Sequence, residues 1–184
     1  MTKIYYVRHG QTDYNARGVW AGSSEAMLSE KGVEQAKATG NELADVKFAV
    51  AFVSPLKRAQ KTFDYINEYH NLTPIIDKRI QERNFGELEG KSCGEDSLVK
   101  KADMYNFNLN SDFGYGIEKI EDTHKRVKSF IDEVLNKYED KNILVVAHGA
   151  IGRHFEAYFH GIPEDGIILK GPNNAEVRIY QTNV

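Results

Sequence analysis

The stretch Ile4-Tyr5-Tyr6-Val7-Arg8-His9-Gly10-Gln11-Thr12 decides the fold. Its first four residues are aliphatic or aromatic with no polar alternation, the mark of a strand buried on both faces. The run then breaks into Arg8 and His9, followed by glycine. Two later stretches repeat the pattern. Phe48-Ala49-Val50-Ala51-Phe52-Val53 runs into Ser54-Pro55-Leu56-Lys57-Arg58-Ala59, and Asn142-Ile143-Leu144-Val145-Val146-Ala147 runs into His148-Gly149. Strands of this kind belong to a mostly parallel sheet with helices on both faces, an α/β class fold built as a three-layer α/β/α sandwich.

The segments between them read as helices. Ser29 is a predicted N-cap, with Val33, Ala36, Gly40, Leu43 and Ala44 at helical spacing behind it. Ser54 and Pro55 are read as an N-cap and a first helical position, with Leu56, Ala59, Phe63 and Ile66 on one face. Pro74 to Asp77 is a short strand. Ile117, Ile120, His124, Val127, Ile131, Val134 and Tyr138 step by three and four, which predicts an amphipathic helix. Ile151, Phe155, Tyr158 and Phe159 predict another, ending near Gly161-Ile162-Pro163. Ala175, Val177 and Ile179 alternate with Glu176, Arg178 and Tyr180, a half-exposed last strand. Residues 83 to 115 are irregular and carry Met104, Tyr105, Phe107, Phe113 and Tyr115. They read as an insertion with a small helix, either packed on the sheet or serving as a lid.

The chain has 184 residues, a formal net charge of −3 and 41% hydrophobic residues, values that suit one folded domain over 1–184. A pI near 6.1 argues against a nucleic-acid binder relying on overall positive charge. The single cysteine, Cys93, excludes an intrachain disulfide framework and a Cys-rich zinc site, and points to a reducing, cytoplasmic setting. The apolar run at the N-terminus is too short for a signal peptide, and no run approaches the ~20 apolar residues of a membrane helix.

In a parallel sheet, ligands bind beyond the carboxyl ends of the strands. Arg8, His9, Arg58 and His148 would therefore meet at one edge, with helix N-termini behind them. Such an edge has forked cationic donors and free N–H groups, and it suits a dianion such as a phosphoryl group.

These residues fall into motifs that resemble the histidine phosphatase superfamily, the phosphoglycerate mutase-like family. Arg8-His9-Gly10-Gln11-Thr12-Asp13-Tyr14-Asn15 matches its R-H-G-x-T-x-x-N hallmark. Ser54 to Thr62 matches S-P-L-x-R-A-x-x-T, and Glu82-Arg83-Asn84-Phe85-Gly86-Glu87-Leu88-Glu89-Gly90 matches E-x-x-(aromatic)-G-x-x-E/Q-G. The strand ending in His148-Gly149 is the fourth. The motifs stand in family order over residues 4 to 149. One segment departs: the family's D-x-P-L-T/S is here Glu25-Ala26-Met27-Leu28-Ser29, without the proline, so no substrate contact is carried over from that loop.

The resemblance implies a metal-independent phosphomonoesterase of the histidine acid phosphatase type, acting on a small-molecule phosphate ester. His9 would be the nucleophile and form a phosphohistidine, lying open beside its cationic neighbours. Arg8, Arg58, His148, Asn15 and Gly149 would bind the phosphoryl oxygens, and Glu82 would be the acid for the leaving oxygen. That role asks for a carboxyl of raised pKa, which burial must supply against the surrounding cations. No metal and no cofactor are implied. The alternative is a phosphoglycerate mutase dependent on 2,3-bisphosphoglycerate. It would use the same residues, but such enzymes are longer and carry paired arginines where this chain has only Lys100-Lys101. A non-catalytic phosphate binder would need neither nucleophile nor acid.

Other patterns carry less. His148, His154 and His160 are spaced by six, which turns a helix through roughly 240 degrees, so they cannot share a face as zinc ligands. His70 and His124 belong to no motif. Gly86 to Ser92 misses a phosphate-binding P-loop by one residue and holds two glutamates. Cys93 lacks the arginine spacing of a cysteine phosphatase and reads as incidental.

Overall fold

The computed structural model describes residues 1–108 and 112–182. Five strands form one sheet in the order β3-β2-β4-β1-β5: β1 is Lys3–Arg8, β2 Val50–Val53, β3 Pro74–Ile76, β4 Asn142–Ala147 and β5 Val177–Gln181. The first four are parallel. In register, Lys3 faces Asn142 and Arg8 faces Ala147, while Val53 faces Val146. Only β5 is antiparallel, placing Gln181 opposite Lys3. β1 thus lies between two strands drawn from the far end of the chain.

The helices are α1 (Asp13–Arg17), α2 (Glu30–Leu43), α3 (Lys57–Asn67), α4 (Lys101–Met104), α5 (Ile120–Lys137) and α6 (Gly149–His160). Alternate residues of the central strands feed opposite faces, as the pleat requires. Ile4, Tyr6, Phe52, Ile143 and Val145 pack with Val127, Phe130 and Ile131 of α5 and Ile151 and Phe155 of α6. Val7, Ala51, Val53, Leu144 and Val146 pack with Leu43 of α2 and Ala59, Phe63 and Ile66 of α3. Each fully buried aliphatic or aromatic side chain contributes roughly 1.5–3 kcal/mol, so the two cores hold the layers together. The structure is the three-layer α/β/α sandwich anticipated from the strands.

Local chemistry sets the helix starts. Ser29 Oγ accepts from Gly32 N–H at 3.1 Å and caps α2. Gly10 and Gly32 let the strand end and the helix touch: a Cβ on Gly10 would lie 2.3 Å from Gly32 O. Ser54 differs from its predicted role. The N-cap of α3 is Leu56, and α3 begins at Lys57, because Ser54 Oγ is engaged by Leu56 N–H and by the His148 ring. The last strand also differs in phase. It buries Tyr180, whose hydroxyl donates to Glu156 Oε1 at 2.6 Å, and leaves Ile179 54% exposed.

Residues 83–108 and their neighbours make a small third core. Trp20, Phe85, Leu88, Val99, Met104, Tyr105 and Ile117 pack on Ala150, with Cys93 and Phe113 half-buried beside them. α4 is the small helix expected there. Met104 and Tyr105 belong to this core, Phe107 packs on His154, and Tyr115 is exposed. No helix among the described residues is long and apolar enough to cross a membrane.

Candidate active site

Because β1, β4 and β2 are adjacent and parallel, their carboxyl ends bring His9, His148 and Ser54 to one edge. His9 follows β1 and remains tied to it through its N–H, which donates to Ala147 O at 3.0 Å. Its Nδ1 lies 2.7 Å from Gly10 O. A carbonyl only accepts, so Nδ1 carries the hydrogen and Nε2 keeps its lone pair. Arg58 Nε–H donates to that nitrogen at 3.3 Å. Burial first, then the Arg58 and Arg8 charges, hold the His9 imidazole well below its ordinary pKa. Nε2 is therefore unprotonated at neutral pH, as a nucleophile must be.

His9 does not lie open. It is 2% exposed and borders a cavity of about 110 Å³ that it shares with Arg8, Asn15, Arg58, Glu82 and Gly149. Arg58 on one side and His148, whose ring centre is 5.2 Å away, on the other screen it from bulk water. A larger hollow of about 730 Å³ lies elsewhere, lined by Thr2, Asp132, Glu139 and Asp140 among others, where the Met1 ammonium pairs with Asp140.

Each cationic group is locked by backbone oxygens. Arg58, buried on the first turn of α3, donates from Nη1 to Ser24 O at 2.7 Å and from Nη2 to Gly22 O at 2.5 Å. Its fork is thus partly committed to the protein, and Nε is the atom turned on His9. Arg8 donates from Nη1 to Pro172 O at 2.9 Å, while its buried Nε has no partner among the described residues. Burial lowers the pKa of both guanidinium groups, and the Glu82 charge opposes that shift in both.

His148 is the N-cap of α6. Its Nε2 is 2.6 Å from Ser54 Oγ, and its buried Nδ1 has no partner among the described residues. Burial and the Arg58 charge keep it, too, well below the ordinary imidazole value. Asn15 closes the capping box of α1, and its Oδ1 accepts from Thr12 N–H and from Asn174 Nδ2, which leaves its own amide hydrogens to donate. Gly149 opens α6, and a Cβ there would sit 3.3 Å from the Arg8 guanidinium carbon. Glu82, 8% exposed, accepts from Arg83 N–H at 3.0 Å and from Ala150 N–H at 3.3 Å. The structure thus lines one cavity with Arg8, His9, Asn15, Arg58, Glu82 and Gly149, and sets His148 behind it against His9 and Ser54.

The outer wall was read from the sequence only as an insertion that either packs on the sheet or serves as a lid. Val19, Trp20, Phe85, Cys93, Lys101 and Tyr105 line the cavity, so Cys93 is not incidental to its shape. Arg153 also lines it, stacked 3.9 Å over the Tyr105 ring, with each of its three nitrogens donating to a carbonyl of Gly149, Ile168 or Leu169. Arg153 stands four residues after Gly149, one helical turn on, and that spacing was the available signal. The other histidines lie apart. His154 is buried with Nδ1 3.4 Å from His124 Nδ1, and His160 pairs with Glu156 on the surface. Among the described residues, no group of three or more His, Cys, Asp or Glu could hold a metal ion.

Residues 4–183 match the family model of the histidine phosphatase superfamily (branch 1). The uncharacterized phosphatase PhoE of Bacillus subtilis is 33% identical over 150 residues, 82% of this chain and 73% of that protein. A 2,3-bisphosphoglycerate-dependent phosphoglycerate mutase of Rhizobium meliloti is 34% identical over 190 residues, 98% and 90% of the two chains. Among solved structures, the alpha-ribazole phosphatase of Shigella flexneri superposes with a TM-score of 0.82 at 25% identity, covering 98% of this chain and 91% of its own.

Proposed function

The chain belongs to the histidine phosphatase superfamily, and from that premise we propose that it hydrolyses a small phosphomonoester in the cytoplasm, without metal or cofactor, through a phosphohistidine at His9. The observation that carries this reading is the bond from His9 Nδ1–H to Gly10 O, which leaves Nε2 bare beside Arg58.

Nε2 attacks phosphorus, forming the P–N bond as the ester P–O bond breaks. Glu82 gives its proton to the departing oxygen. Arg8, Arg58, His148, Asn15 and the Gly149 N–H hold the phosphoryl oxygens, so most of the rate comes from positioning and charge neutralisation. Glu82 then takes a proton from water as that water attacks phosphorus, the P–N bond breaks, and inorganic phosphate leaves. Phe85, Cys93, Lys101 and Tyr105 act as a lid whose wall limits the size of the leaving group and the access of water.

A panel of phosphate esters, with 3-phosphoglycerate plus 2,3-bisphosphoglycerate included, tests this directly. The expected result is phosphate release from at least one ester and no isomerised phosphoglycerate. Isomerisation without net hydrolysis would make the chain a mutase, the activity that the Rhizobium meliloti relative is named for. Ligand binding with neither product would leave only a binder.

A further inference from the structure

Glu89 takes no part in the chemistry above, yet its carboxylate reaches the nucleophile through a short series of bonds. Oε1 accepts from Ser23 N–H at 2.8 Å, from Ser23 Oγ at 3.0 Å and from Phe85 N–H at 3.1 Å. It fits against Gly22, whose φ is +50° and where a Cβ would lie 2.1 Å from Oε1. The residues on either side of Ser23 are the two whose carbonyls grip Arg58: Gly22 O takes Nη2 and Ser24 O takes Nη1. Arg58 Nε in turn faces His9 Nε2. Among the described residues, Glu89 and Arg58 are the only side chains from outside the 18–29 loop that hydrogen-bond to residues 22–24. The Glu89 charge also helps to keep the buried Arg58 guanidinium protonated.

We infer that Glu89 is a positioning residue: it pins the turn at 22–24 so that two carbonyls aim the Arg58 guanidinium at the attacking nitrogen. The same oxygen that holds the turn accepts from Phe85, three residues from the proposed acid Glu82. One carboxylate therefore ties the loop that orients the cation to the strand of chain that carries the acid. The inference rests on the phosphatase reading for its rate measurements, but not for its main observable. If Arg58 swings away from His9, a positive charge leaves the imidazole, and its protonation becomes easier. The imidazole titration must then move to higher pH.

The experiment follows the His9 ring by NMR against pH in the free protein, alongside kcat/KM for p-nitrophenyl phosphate. Glu89→Ala is expected to raise the His9 titration midpoint in the direction of Arg58→Ala, and to lower kcat/KM at least about tenfold. The double variant should add nothing to the midpoint of Arg58→Ala, because both act through one guanidinium. Glu89→Gln keeps an accepting Oε1 and is expected to restore most of the midpoint and the rate. A folded Glu89→Ala protein with an unmoved His9 titration overturns the inference, and so does a Glu89→Gln variant as impaired as the alanine. Should Glu89→Ala fail to fold, Glu89→Asp draws the carboxylate back by one methylene from Ser23 and Phe85, and an unmoved His9 midpoint there overturns the inference. A wild-type protein that hydrolyses no ester would remove the phosphatase reading while leaving the titration to judge Glu89.

Discussion

At the scale of single residues, the proposed nucleophile is held by its own neighbour. The Gly10 carbonyl fixes the His9 tautomer, and the two guanidinium groups resist its protonation. His9→Ala is expected to abolish turnover with the far-UV CD spectrum and Tm little changed. The acidic limb of kcat/KM should fall below the ordinary imidazole range, since His9 must lose its proton to attack and its pKa is depressed. Arg58→Gln should push that limb to higher pH. Glu82→Gln should slow alkyl phosphates far more than p-nitrophenyl phosphate, whose leaving group hardly needs a proton; equal losses would remove Glu82 as the acid. The groups proposed to touch the phosphoryl were legible because each stands at a strand end or within a motif. Arg153 was not singled out, although it stands one helical turn after Gly149, and Tyr105 was read only as part of an insertion that packs on the sheet or serves as a lid. Their stacking comes from how α6 and the irregular segment pack.

At the scale of elements, strands were easy to read because three of them are apolar on both faces, and helices because their apolar stripes repeat. Ser54 shows the limit. Serine before proline is a sound helix-start signal, but here the hydroxyl has a better partner in the buried ring of His148, so tertiary structure took it. Tyr180 shows another: a half-exposed edge strand is set in phase by what covers it, here Glu156 and the rings of α6. The contact between the end of β1 and the start of α2 gives a stability test. Gly10→Ala would place a methyl against the Gly32 carbonyl and should cost roughly 1–3 kcal/mol, seen as a lower Tm together with lower activity, because the displaced backbone carries His9. Ser29→Ala removes the cap of α2 and should cost about 1 kcal/mol while leaving kcat near wild type.

At the scale of the whole molecule, buried neutral histidines couple the fold to pH. His9, His148 and His154 all have pKa values well below the unfolded value, chiefly through burial. From about pH 7.5 upward, a unit above the unfolded pKa, neither folded nor unfolded rings carry many protons, and these groups leave stability flat. Below it the unfolded chain binds protons that the folded one refuses, so each ring removes up to about 1.4 kcal/mol per pH unit. Urea melts between pH 7.5 and 5 should therefore show stability falling on the acid side, and a flat profile would contradict the burial of these rings. Activity is expected to survive EDTA, since every group in the proposed chemistry is a side chain or a backbone N–H.

The position of β1 has one more consequence. Its partners β4 and β5 come from residues 142–147 and 177–181, and the Ala175 N–H donates to Arg8 O while Asn174 Nδ2 donates to His9 O. Asn174 stands 165 residues after His9, so translation lays down the proposed nucleophile long before this support exists. The surroundings of His9 are finished only when those later residues have joined β1.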